Sequence, residues 1–165
     1  MEVGDFKAKS FEKFDKEWAL LTAGVQEDFN SMTISWGGLG TMWGMPVAFI
    51  VVKPSRYTFE FLQRREELTL SWYAPSYKKA LGIFGSKSGR DTDKVFLTGF
   101  TPVGVGGSVT YKEAEETLIC RRLFMQQLDK TKFPQEALHW YPEGTKDEKA
   151  HYLIIAEVKE YRGQE

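Results

Sequence analysis

The chain holds a single cysteine, Cys120. No internal disulfide can form, and a reducing, cytoplasmic compartment is the expectation. Histidine is almost as scarce, with only His139 and His151, and one Cys with two distant His makes no metal site by spacing. Neither sign of charge dominates: 22 basic against 23 acidic residues leave a formal −1. That excludes the strong field of one sign that gathers nucleic acid or an anionic membrane surface. Long apolar runs are missing as well. The longest, Met45 to Val52, is far too short to span a bilayer. The opening MEVGDFKAKSFEKF mixes both charges without an apolar stretch, so no signal peptide is expected. Catalytic signatures are equally thin. No serine sits in G-x-S-x-G, GVGGSV lacks the last glycine of the dinucleotide fingerprint, and GSKSG lacks the order of a P-loop.

What is present fits one globular domain over residues 1–165, with 42% hydrophobic and 15% aromatic residues. A polar arm from Glu2 to Lys16 leads into EWALLTAG, read as a first strand with a turn at Gly24. FNSMTISW is a second strand, after which Gly37, Gly38 and Gly40 break regularity. PVAFIVVK, apolar on both faces, predicts a buried strand from Pro46. RYTFEFLQRR and SYKKALGIFGS predict short helices, the second closed by Gly85. ELTLSWY is another strand, and GGSVTYKEAEETLICRRLF holds two that meet near Lys112 to Glu115. VFLTGFTPV is ambiguous; FPQEALHWY starts like a helix with Pro134 near its first position; HYLIIAEVKEY closes the chain as a strand. Short strands with small inserted helices predict a mainly β, α+β fold of the Greek-key barrel type. Trp18, Trp43, Trp72, Phe84 and Trp140 are assigned mostly to the core.

Three stretches carry chemistry. In the strand NSMTISWGG, alternate side chains share a face. Asn30, Met32, Ile34 and Trp36 lie on one side, and Phe29, Ser31, Thr33 and Ser35 on the other. The second set is a shallow hydroxyl row: either a solvent-facing edge, or a strip on which a flat ligand approaches the main chain. RYT, Arg56 to Thr58, puts a guanidinium and a hydroxyl at a helix start, where free amides favour an anion. The alternative is that Thr58 caps the helix and Arg56 is solvated. GSKSGRDTDK, Gly85 to Lys94, combines Gly-Ser backbone with Lys87, Arg90 and Lys94. It reads as an anion-wrapping loop or as a charged surface turn that Asp91 and Asp93 neutralise.

The series TAG, NSMTISWGG, RYT and SGRDTDK, in this order, resembles the flavin reductase-like family of FMN-binding split β-barrels, most nearly its flavoredoxin-type branch. The resemblance runs from about Trp18 to Lys94 and is weaker beyond. It implies a homodimer with FMN near the subunit interface. Asn30, Ser31, Met32, Thr33 and Ser35 would then lie along the isoalloxazine, largely through backbone, with Trp36 close to the ring. Arg56, Tyr57 and Thr58 would meet the ribityl phosphate, and Ser88, Gly89 and Lys94 would close the site.

Many members open the last strand with a Gly-Asp-His triplet associated with the nicotinamide. Here His151 matches, while Lys149 and Ala150 replace the Gly and Asp. His151 is therefore a candidate substrate contact or simply a strand-initiating histidine. His139 either covers a site or packs with Trp140 and Tyr141. The implied activity is an NAD(P)H-dependent flavin oxidoreductase passing electrons through FMN to a small acceptor. The alternatives are a flavoredoxin-like electron-transfer protein reduced by a protein partner, or an interaction module without flavin. No membrane and no nucleic-acid partner is expected.

Overall fold

The computed structural model describes residues 1–164. Its strands are β1 (Ala19–Val25), β2 (Asp28–Ile34), β3 (Gly37–Met42), β4 (Met45–Val52), β5 (Glu67–Trp72), β6 (Pro102–Val105), β7 (Ser108–Tyr111), β8 (Glu116–Gln127) and β9 (Tyr152–Gly163). A short α-helix, α1 (Ser10–Glu12), precedes β1, and α2 (Tyr57–Arg64), α3 (Lys78–Ser86) and α4 (Lys94–Thr98) lie between strands. Seven strands form one sheet in the order β2-β1-β5-β8-β9-β4-β3, and β6 and β7 form a separate hairpin. No ladder joins β2 to β3 at the two ends of that order, so the sheet is not closed. This is the mainly β fold with short helices that the pattern of short strands predicts, and its open sheet agrees with the split barrel that the family resemblance implies. Among the described residues, no helix is long and apolar enough to cross a membrane.

The inner face of the sheet holds the main core, with Leu21, Met32, Ile34, Ile50, Leu68, Leu70, Trp72 and Ile154 all buried. Leu20, on the opposite face of β1, enters a second cluster with Tyr73, Leu81, Phe84, Phe100 and Tyr111. Being covered on both sides, β1 reads as a continuous buried run and not as an alternation.

Hydroxyls fasten the small hairpin to the outer face. Thr22 and Ser31 meet at 2.7 Å, and Ser31 meets the Tyr111 hydroxyl at 2.7 Å. Ser71 lies 2.8 Å from Thr110 and 3.0 Å from Thr117, and Thr69 donates to the Val109 carbonyl at 2.6 Å. Thr33 donates to the Leu81 carbonyl of α3 at 2.5 Å. Ser31 and Thr33 of the hydroxyl row are therefore covered by the chain itself, by β7 and α3.

Several boundaries differ from the sequence expectations. The first turn falls at Gln26 and Glu27, and Gly24 sits inside β1 with φ +111°. A Cβ there would stand 2.3 Å from the Asp28 carbonyl oxygen, so the tight β1–β2 hairpin needs glycine. Gly37, Gly38 and Gly40 do not break the chain; they form β3 by pairing with β4. Gly85 does not close α3, which continues to Ser86. The ambiguous VFLTGFTPV divides into α4, a left-handed Gly99 and β6. Pro134 is the residue before a 3-10 turn, Gln135–Trp140, and not part of an α-helix.

The polar arm is not detached. Phe14 is buried against Trp72, and the ammonium of Lys13, also buried, is ion-paired with Glu17 and Glu116. Trp72 and Phe84 are core residues, but Trp43 and Trp140 are 57% and 49% exposed. Trp18 precedes β1 and is only partly buried.

Candidate functional site

β2 pairs with β1 on one side only, so its other edge offers unpaired main chain. A cleft of about 240 Å³ runs along that edge from Met32 to Trp36, walled by Lys53, Arg56, Trp140, Asp147 and His151. A second cleft of about 240 Å³ lies between the start of α2 and the loop from Gly85 to Gly89, with Asn30, Lys94 and Lys146 at its walls. Met32, Arg56 and Asp147 line both, so the two run into each other.

The second cleft is rich in positive charge. Arg56 donates to the Gly85 carbonyl at 2.9 Å. Lys94 donates to the Ser31 carbonyl at 2.5 Å and to the Phe84 carbonyl at 3.3 Å. Neither cation takes part in any of the ion pairs among the described residues. Burial lowers the pKa of Arg56, with Asp147 pulling it back up. Burial lowers Lys94 to about 8, and the neighbouring Arg56 pushes in the same direction. A buried and a half-buried cation that disfavour each other form a site that an anion would relieve.

The start of α2 adds to this. Arg56 is its N-cap residue and no side chain caps it; the Phe59 amide turns back to the Arg56 carbonyl at 3.0 Å, while those of Tyr57 and Thr58 retain their donor character. Thr58 is not the cap; its buried hydroxyl accepts a hydrogen bond from Asn30 at 2.8 Å. A phosphate therefore fits this end. The adjoining cleft, with its strand edge and indole walls, fits a flat ring.

The Gly85–Lys94 segment is braced and not merely a solvated turn. The Ser88 carbonyl accepts from the amides of Asp91 and Thr92 at 3.2 and 3.0 Å. Arg90 reaches the Ser55 carbonyl at 3.2 Å and Glu60 at 3.0 Å. Asp93 caps α4 through the Phe96 amide at 3.0 Å, leaving Lys94 unneutralised. Gly89 lies so close to Asn30 that a Cβ would stand 2.1 Å from Oδ1. Asn30, Tyr57, Gly89 and Lys94 thus form a shared wall, behind which lies a third cleft of about 630 Å³ floored by Phe29, Ser31 and Tyr111.

The structure gathers the sequence candidates around these three clefts. Met32, Thr33, Ser35, Trp36, Arg56 and His151 line the first. Asn30, Met32, Arg56, Tyr57, Thr58, Ser88, Gly89 and Lys94 line the second. Ser31 borders only the third, its hydroxyl held under Tyr111. His151 approaches Trp36, with ring centroids 5.2 Å apart, and its Nδ1 lies 2.7 Å from the Tyr141 hydroxyl. Burial first, then Lys53, depress the His151 pKa to about 4, against the pull of Asp147. The imidazole is therefore neutral in ordinary buffers. His139 packs against Trp140, ring centroids 4.7 Å apart and tilted by 38°, and lines none of these three clefts.

Lys53, Trp140, Lys146 and Asp147 were not among the sequence candidates. Lys53 donates to the Trp140 carbonyl at 2.7 Å and to the Asp147 carbonyl at 3.3 Å, holding the strap 128–150 over the first cleft. The aromatic run ALHWY was the one available signal for this strap.

No curated protein sequence matches the chain. Among solved structures, it is similar to a flavoredoxin from Methanosarcina acetivorans, with TM-score 0.69 and 21% identity over 90% of this chain and 69% of that one. An FMN-binding protein from Thermus thermophilus superposes with TM-score 0.70 and 17% identity, covering 99% of this chain and 80% of that one. The flavin reductase of styrene monooxygenase from Pseudomonas putida S12 gives TM-score 0.65 and 19% identity, covering 90% and 80%. At these identities the likenesses show the fold. The family model for the flavin reductase like domain matches residues 11–165, and the chain belongs to that family.

Proposed function

We propose that the two joined clefts hold FMN and that residues 1–165 act as one flavin-dependent oxidoreductase domain, taking electrons from NAD(P)H and delivering them to a small acceptor. One observation carries this reading. Arg56 and Lys94, both without a carboxylate partner, converge on a cleft that continues along the open edge of β2. In this reading the two cations and the α2 amides hold the phosphate dianion. The β2 main chain from Asn30 to Ser35 faces the isoalloxazine, while Trp36 and Trp140 exclude water from it. Bound FMN supplies the redox chemistry, and the protein orients it and tunes its potential. The neutral His151 donates no charge to the site. The name of the Thermus thermophilus neighbour supports FMN as the particular flavin.

The unpaired edges of β2 and β3, with Trp36 and Trp140 exposed beside the clefts, support a homodimer closing over the open side. A second reading is a flavoredoxin-like carrier reduced by a protein. Lys149 and Ala150 in place of the Gly-Asp of the triplet favour it. Anaerobic mixing of the FMN-loaded protein with NADH or NADPH separates the two. Bleaching of the flavin band supports the enzyme; an unchanged band at millimolar donor supports the carrier. Failure to bind FMN at all removes both.

A further inference from the structure

The strap 128–150 leaves β8 and returns to β9 with its two ends tied together. The Leu128 amide donates to the His151 carbonyl at 3.0 Å, and Lys130 donates to the Glu148 carbonyl at 2.9 Å. Its middle is bolted to the sheet by Lys53, directly after β4. Lys53 donates to the Trp140 and Asp147 carbonyls, and its ammonium stands 4.9 Å over the Tyr141 ring. Between those two carbonyls the chain makes a turn that braces itself. The Thr145 hydroxyl donates to the Pro142 carbonyl at 2.7 Å and accepts from the Asp147 amide at 3.2 Å, while Gly144 takes the left-handed conformation at φ +75°.

This turn places Lys146 on the wall of the second cleft, together with Arg56 and Lys94. Lys146 is exposed and takes part in none of the ion pairs among the described residues. Its neighbour Asp147 is drawn to Lys53, 3.8 Å away. The unmatched charge of the turn at this end is therefore that of Lys146. Arg56 and Lys94 are held by carbonyls of α3 and β2, both firm elements of the fold. Lys146 instead rides on an exposed turn, the kind of segment that opens at low cost. A dianion in the cleft would thus pull on the strap as well as fill the cleft.

We propose that Lys146 is a specificity-determining contact to the phosphate of the bound flavin, and that the phosphate, by drawing Lys146 in, clamps the strap over both clefts. The cofactor's own phosphate then decides whether the cover is shut. FMN closes it; riboflavin, which fills only the ring cleft, leaves it loose. The inference rests on the FMN reading and adds to it a coupling between the phosphate end and the cover of the ring.

The test is amide hydrogen exchange, read by mass spectrometry on the protein alone, with FMN and with riboflavin, alongside a binding titration of each at low salt, where an exposed cation is least screened. FMN is expected to slow exchange across 142–149 by about tenfold, the weak end of one charge-assisted hydrogen bond, and riboflavin to leave it unchanged. Lys146→Ala should lower FMN affinity by about tenfold, leave riboflavin affinity unmoved and abolish the protection by FMN. Lys146→Arg should restore most of both effects. Lys149→Ala, which alters an exposed strap lysine lining neither cleft, should change neither. Equal protection of 142–149 by FMN and riboflavin, or FMN affinity unmoved by Lys146→Ala, would each overturn the proposal. The exchange comparison uses the unaltered protein and stands even where a variant fails to fold. No FMN binding by the unaltered protein would sink the flavin reading and this inference together; FMN binding that leaves the strap unprotected would sink the inference alone.

Discussion

Lys94 and Arg56 donate to consecutive carbonyls of α3, Phe84 at 3.3 Å and Gly85 at 2.9 Å. These belong to the last turn of the helix, whose carbonyls have no donor further along it. The negative end of the α3 dipole thus holds two cations that no carboxylate neutralises. Arg56 uses one of its five N–H groups in this way; Lys94 uses two of its three, the second on the Ser31 carbonyl, and the rest remain for the cleft.

Replacing either cation should weaken FMN binding without unfolding the barrel. Arg56→Ala and Lys94→Ala are each expected to cost about 1.5–3 kcal/mol of binding free energy, the range for a charge-assisted hydrogen bond. Arg56→Lys should recover only part of this, because the planar fork is lost. Isothermal titration with FMN measures it, and unchanged affinity in either Ala variant would remove that residue from the site.

The depressed Lys94 gives the site a pH signature. In the ligand-free protein its pKa is lowered from 10.5 to about 8, and a bound dianion raises it again. Binding then takes up a proton above pH 8, so affinity should be flat just below that pH and fall as pH rises beyond it. Stability of the ligand-free protein should move the opposite way. The unfolded chain holds this proton up to about pH 10.5 and the folded one only to about 8, so stability is gained across that window. Lys94→Arg should flatten both profiles. Binding that strengthens above pH 8 would contradict the assignment.

Tyr111→Phe should destabilise the fold by about 1 kcal/mol, the usual increment of one buried hydrogen bond. It removes the link from the β6–β7 hairpin to Ser31 but leaves the Ser31–Thr22 pair intact. Urea denaturation reads the change. No loss of stability would mean that the hydroxyl contact does not fasten the hairpin.

Gly89→Ala tests the wall between the clefts. The added methyl carbon would stand 2.1 Å from Asn30 Oδ1 and 3.0 Å from a Tyr57 ring carbon. The loop must move or Asn30 must release Thr58. FMN affinity is expected to fall by about tenfold, roughly the loss of one such buried hydrogen bond, while far-UV circular dichroism stays unchanged. Unaltered affinity would show that the wall is not part of the cofactor site.

The inward half of β2 was legible in the sequence because burial follows the strand period: Met32 and Ile34 enter the core as alternation requires. The outward half was not. Ser31 is buried beneath Tyr111, 80 residues away, and the Thr33 hydroxyl is bound by the Leu81 carbonyl, 48 residues away, and no local pattern announces those partners. Arg56 and Lys94 were visible as residue types, but their lack of a carboxylate emerges only once Asp93 is seen capping α4. Lys53 and Asp147 escaped notice because one directly follows a strand and the other sits in a charged turn, both ordinary settings for such residues. The Gly37–Gly40 run misled because glycine is poor in strands by propensity, yet pairing with β4 overrides that preference.

The most direct measurement compares FMN with riboflavin in the same titration, since the two differ only in the phosphate. If Arg56, Lys94 and the α2 amides form the anchor, FMN should bind at least about a hundredfold more tightly, the lower end of what two charge-assisted hydrogen bonds contribute. Equal affinities for the two, or binding of neither, would contradict the account.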